Sequence, residues 1–69
     1  MENRIEILRH ERAVTQEELA EILDVSRQTI SSLENGRYNP SITLAFKIAR
    51  FFNRSVEEIF IYEGKEETA

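Results

Sequence analysis

The chain has 69 residues, no cysteine, and 13 Asp and Glu against nine Lys and Arg, for a net charge of -4. A domain this short buries only about 60% of the surface that its unfolded chain exposes, which leaves little volume for a small-molecule effector. Without thiols it holds neither a disulfide nor a thiolate-bound metal, and the expectation is a reducing, cytoplasmic setting with no cofactor. No apolar run approaches the length of a bilayer span and no cationic leader precedes an apolar core, so neither membrane insertion nor secretion is expected.

The first helix is predicted over Asn3 to Arg12, with Ile5 and Leu8 facing inward. Thr15 and Glu18 stand at the spacing of a capping box, followed by Leu19, Ala20 and Leu23 at helical intervals, which predicts a second helix ending at Asp24. Ser26 is placed as the N-cap of a third helix, Arg27 to Asn35, whose inner pair is Ile30 and Leu33 and whose stop is Gly36. After Pro40 and Ser41 a fourth helix spans Ile42 to Phe52, and Ser55 with Glu58 forms a second capping box for a fifth, reaching about Phe60. The one candidate strand is "FIYE" at residues 60–63. The fold class is therefore all-α, with a domain over 1–62 and a short acidic tail over 63–69.

Only Asp24 to Arg27 separates the second helix from the body of the third, too little chain for anything but a sharp turn, with Asp24 suited to positive φ and Val25 as its apolar anchor. The pair is a helix-turn-helix. Charge is divided along the same lines: residues 1–25 carry -4, residues 26–54 carry +4, and residues 55–69 carry -4. Such a distribution suits a protein that offers a cationic surface to a polyanion while its acidic remainder keeps it soluble.

The outer face of the third helix consists of Arg27, Gln28, Thr29, Ser31 and Ser32. Gln pairs bidentately with adenine, Arg with guanine, and Ser or Thr with either base or a phosphate; a carboxylate on this face would be repelled by the phosphates that line the major groove. Glu34, the one carboxylate between Val25 and Pro40, is the exception. Its place near Leu33 on the inner side predicts a bidentate pair with Arg9 of the first helix.

The combined pattern Thr15-Gln16, Leu19-Ala20, Val25-Ser26, Ile30-Ser31 and Glu34-Asn35-Gly36 resembles the Xre-type helix-turn-helix family, the transcriptional regulators of the lambda Cro and repressor type, over residues 4–60. The resemblance implies a five-helix lambda-repressor-like DNA-binding domain whose partner is double-stranded DNA. It implies base contacts from Arg27, Gln28 and Ser32, with Thr29 at a base or a nearby phosphate, and backbone contacts from Gln16, Asn35 and Arg37. Tyr38 and Asn39 extend that grip through the following loop. Ala13, Asp24 and Asn53 stand where family members often have glycine; Ala13 is the departure that predicts strain or a different helix end.

Only Thr43, Lys47 and Arg50 are polar among the residues from Ile42 to Phe52, so the fourth helix has one polar stripe where a surface helix has one apolar stripe. Ile42, Ala45, Ile48, Ala49 and Phe52 are assigned to the domain core. Leu44, Phe46 and Phe51, with Ile61 and Tyr62, are left needing cover, which predicts a two-fold dimer on a palindromic operator. The function expected is that of a sequence-specific regulator, most simply a repressor. The alternative is a protein-interaction module, such as an antitoxin or a restriction-modification controller that binds a partner protein. An enzyme is not expected, because His10 is the only histidine and no catalytic constellation surrounds it.

Overall fold

In the computed structural model, which describes residues 1–61, four helices open on a side-chain cap that the sequence spacing encodes. The elements are β1 (Glu2–Asn3), α1 (Ile5–Glu11), α2 (Gln16–Leu23), α3 (Arg27–Glu34), α4 (Ile42–Phe52), α5 (Val56–Ile59) and β2 (Phe60–Ile61). Thr15 with Glu18 and Ser55 with Glu58 close complete capping boxes on α2 and α5. Ser26 and Ser41 accept from the third amide of α3 and α4. Each such cap is worth about 1 kcal/mol, and each fixes the residue at which its helix starts.

The helix ends share a second device. At the ends of α1, α2, α3 and α4 the chain turns through a left-handed residue, Ala13, Asp24, Gly36 and Asn53 respectively. In each case its N–H and the next one reach back to carbonyls three and five residues earlier: Ala13 to His10 and Val14 to Arg9, Asp24 to Glu21 and Val25 to Ala20, Gly36 to Leu33 and Arg37 to Ser32, Asn53 to Arg50 and Arg54 to Ala49. These are Schellman motifs. Asp, Gly and Asn tolerate the conformation; Ala13, at φ 57°, does not share that tolerance and its β-carbon crowds the backbone there. The strain foreseen at this position is therefore present, and the helix ends as it would with glycine. Ala13→Gly is expected to stabilise the domain by about 1 kcal/mol, raising its thermal midpoint by roughly 4–8 °C for a chain of this size. An unchanged or lowered midpoint in calorimetry would show that the backbone at Ala13 is relaxed.

Helices α1 and α3 end one residue before the positions expected, at Glu11 and Glu34, and two boundaries depart for a structural reason. Asn3 does not begin α1: it pairs with Phe60 across a two-stranded antiparallel sheet, in register with Glu2 opposite Ile61. Its side chain is also committed, Nδ2 donating to the Leu33 carbonyl at 2.7 Å and Oδ1 accepting from the Ile5 amide at 3.1 Å. The same strand pairing ends α5 at Ile59, with Phe60 already extended. The FIYE segment is thus a strand in its first two residues; Tyr62 and residues 63–69 lie outside the described residues, as does the expected tail boundary.

Ile5, Leu19, Ile30, Leu33, Ile48 and Ile59 are the largest fully buried side chains, one or two from each helix. On α4 the buried stripe is Leu44, Ala45, Ile48, Ala49 and Phe52. This corrects two expectations. Ile42, assigned to the core, is 74% exposed, and Leu44, expected to lack cover, is 7% exposed inside the protomer's own core. At about 100° per residue Ile42 and Leu44 lie on opposite flanks of that stripe at similar angles from its centre, so the periodicity of α4 does not choose between them. Phe51 is half-buried, packed against the core with the Arg12 guanidinium 5.2 Å from its ring centroid. Among the described residues no helix is long and apolar enough to cross a membrane.

Candidate nucleic-acid interface

Helix α3 is fixed to the body of the domain at both ends, and its outer face is what remains. Ile30 and Leu33 are fully buried. With about 100° between successive residues, the direction opposite their midline falls close to Gln28, with Arg27 and Ser31 on one flank and Ser32 and Thr29 on the other. Arg27 and Gln28 are exposed; Thr29, Ser31 and Ser32 are partly so. No carboxylate lies among Arg27–Ser32. At the N-terminal end Ser26 Oγ accepts from the Thr29 amide at 3.1 Å, and its hydroxyl shares a hydrogen with Thr29 Oγ1 at 2.9 Å. The Thr29 hydroxyl is thereby drawn into the cap.

The C-terminal end is held by Glu34. Arg9 Nε donates to Glu34 Oε2 at 2.7 Å and Nη2 to Oε1 at 3.2 Å, a bidentate pair between side chains only 8% and 4% exposed. Arg9 Nη1 also donates to the Val14 carbonyl at 3.0 Å. The pKa of Arg9 is raised from its ordinary value by its hydrogen bond to Glu34, with burial acting the other way and the charges of Glu34 and Glu6 adding to the rise. Stability drawn from a raised cation is complete below the ordinary guanidinium pKa and is lost only above it, so the pair persists throughout the usable alkaline range.

Gln16 enters the same network, its Nε2 donating to Glu34 Oε1 at 2.9 Å. The resemblance assigned this residue to the DNA backbone alone. In the structure one amide hydrogen is committed internally, and the second, with the main-chain N–H groups that open α2, stays available to an anion. One carboxylate thus joins α1, the start of α2 and the end of α3. Glu34 sits at the negative end of the α3 dipole, an unfavourable place for an anion unless it is paired in this way.

Asn35, Arg37, Tyr38 and Asn39 follow in the exposed loop after α3. Tyr38, 43% exposed, lines a shallow concavity together with Ser26, Gln28, Thr29 and Ser32. The sequence expectation placed Tyr38 with a backbone-gripping loop; the fold brings it beside the outer face of α3. Two further residues were missed. Asn3 ties β1 to the last turn of α3 through Leu33, and Arg12 donates to the Phe51 and Phe52 carbonyls at 2.8 and 3.0 Å, capping the end of α4. Neither contact carries a local signal, because partners 30 and 40 residues away have no spacing rule.

The positive middle of the chain is not one surface. Arg27 and Arg37 belong to α3 and its loop, but Lys47 and Arg50 line a hollow with Ile22, Leu23 and Phe51 between α2 and α4. Arg54 lies beyond them, with Phe46, Asn53 and Glu58.

A helix-turn-helix family model matches residues 5–59, nearly all of the described chain. The chain belongs to the Xre-type helix-turn-helix family of transcriptional regulators. It is 53% identical over 66 residues, 96% of its length and 100% of the relative's, to an uncharacterized HTH-type transcriptional regulator of Methanocaldococcus jannaschii. The immunity repressor of Bacillus phage phi105 is 38% identical over 68 residues, and this chain spans 47% of that repressor's length. Among solved structures, the clp gene regulator ClgR of Corynebacterium glutamicum superposes with a TM-score of 0.71 at 33% identity, covering 78% of this chain and 57% of that one. In helix-turn-helix regulators generally the second helix of the motif, the position that α3 holds in this chain, is the element that enters the major groove.

Proposed function

We propose that this helix-turn-helix regulator represses transcription as a homodimer that occupies a palindromic operator. The observation that carries the reading is the outer face of α3: Gln28 points away from the core, flanked by Arg27, Ser31 and Ser32, with no carboxylate among them. Arg27, Gln28, Thr29 and Ser32 read base edges; Gln16, Asn35, Arg37, Tyr38 and Asn39 hold the phosphate backbone and set the register. Repressors among the relatives, including the competence pilus inhibition repressor of Acinetobacter baylyi at 37% identity over 57 residues, support the sign of regulation. Selection of bound duplexes from a random pool tests the reading, with two symmetric half-sites about 34 Å apart as the expected result.

The dimer rests on the outer side of α4. Phe46 is 55% exposed, and the hollows beside it run from Ile22 and Phe51 across Arg50 and Arg54 to Ile61. Leu44 is no part of this surface. Arg50 and Arg54 of one copy and Glu57 and Glu58 of the other give a two-fold contact complementary charge. Phe46→Glu is expected to yield a folded monomer in sedimentation and to weaken operator binding at least tenfold, because a half-site alone offers half the contacts. A variant that remains dimeric would remove α4 from the interface.

A further inference from the structure

Two contacts from the start of the chain close on the end of α3. Asn3 Nδ2 donates to the Leu33 carbonyl at 2.7 Å, and the Met1 nitrogen donates to the Gly36 carbonyl at 3.1 Å. These carbonyls stand at the two ends of the left-handed turn, because the Gly36 amide donates back to the same Leu33 carbonyl at 3.0 Å. The approach is close: a β-carbon on Gly36, whose φ is 76°, would stand 3.4 Å from the Met1 carbonyl oxygen. Asn3 is itself held by the core. It pairs with Phe60 across the sheet, the Arg4 amide donates to the Ile59 carbonyl at 2.8 Å, and Ile59 and Phe60 are both buried. The first residue beyond the turn is Arg37, whose amide donates to the Ser32 carbonyl at 3.1 Å and whose side chain is exposed. Helix ends fray where few outside groups take up their carbonyls. At the end of α3 that outside group is a side chain fixed in a strand 30 residues away.

We infer that Asn3 is a positioning residue for DNA binding: its hydrogen bond to Leu33 fixes the turn at Gly36 and so aims Arg37 at the phosphate backbone. The inference rests on the phosphate-holding role proposed above for Arg37. A loop already held in its bound conformation loses less freedom on contact, and that saving appears as affinity. Because Asn3 acts through Arg37, its contribution disappears when Arg37 is removed. It is also independent of base sequence, since a phosphate contact carries none.

The test is Asn3→Ser, measured by titration with duplex DNA in three backgrounds. Serine keeps an acceptor for the Ile5 amide, which Asn3 Oδ1 now binds at 3.1 Å, but is too short to reach Leu33. In the otherwise unaltered chain the variant is expected to lose about fourfold in affinity for every duplex alike. In the Arg37→Ala background most of that loss vanishes, whereas in the Gln28→Ala background, altered in the first turn of α3, it is kept in full. Hydrogen exchange separates positioning from stability: the Gly36 and Arg37 amides exchange faster in Asn3→Ser while those of Ile30 and Ile48 keep their protection. A loss of equal size with and without Arg37, or no loss at all, overturns the inference. So does faster exchange shared equally by the core amides, which marks a general loss of stability. If Arg37→Ala alone binds every duplex as tightly as the unaltered chain, the phosphate role of Arg37 falls and the inference with it, a result read without any change at Asn3.

Discussion

Arg9→Ala is expected to lower the unfolding free energy by about 3–5 kcal/mol, the range for stripping one partner from a buried ion pair. A domain of this size has roughly 3–10 kcal/mol to lose, so the variant is expected to be largely unfolded near 50 °C and to shift its urea midpoint strongly at 25 °C. Glu34→Ala costs at least as much, because it strands the guanidinium of Arg9 and also removes the acceptor of Gln16 Nε2. Arg9→Lys keeps the charge without the planar fork and falls between. The decisive comparison is the double variant Arg9→Leu with Glu34→Leu, expected to cost less than either alanine alone, since no uncompensated charge is then buried. A double-variant loss equal to the sum of the Arg9→Leu and Glu34→Leu single losses would mean that the two groups do not stabilise each other across the α1–α3 contact.

Gln28→Ala and Arg37→Ala separate reading from gripping. The glutamine variant is expected to lose about 1–3 kcal/mol on the selected operator and to relax preference at one base pair, with the salt dependence of binding unchanged. The arginine variant weakens all duplexes alike and reduces the slope of log affinity against log salt by about 0.9, one phosphate contact fewer. Both are exposed, so neither substitution should disturb the fold. Two identical profiles, in sequence preference and in salt slope, would end the division of labour assigned to α3 and its loop. Because Lys47, Arg50 and Arg54 lie around hollows on α4 rather than on α3, their removal should leave that slope nearly intact and act on self-association instead.

Much of this architecture is written in short spacings. A hydroxyl three residues before an amide, as in Thr15 to Glu18, Ser26 to Thr29, Ser41 to Leu44 and Ser55 to Glu58, decides where a helix begins, and the partners are neighbours in the chain. The left-handed stops at Asp24, Gly36 and Asn53 are equally local. Together they fix α2, the turn and α3, and so determine which side chains of α3 face away from Ile30 and Leu33. The pairing of Arg9 with Glu34 was also legible, because one carboxylate in an otherwise cleared segment needs a cation behind it.

Only the tertiary structure decided which arc of α4 is buried. A helix apolar on most sides carries no internal preference between a stripe through Ile42 and one through Leu44; its packing in the fold buries Leu44. The same holds for Asn3 in a strand, for Arg12 at the far end of α4, and for Tyr38 beside Gln28. Each depends on chain segments that are remote in sequence and meet only after the core has formed. Backbone hydrogen bonding reads distances of three to five residues and is visible in one dimension, whereas the sharing of a surface is a property of three.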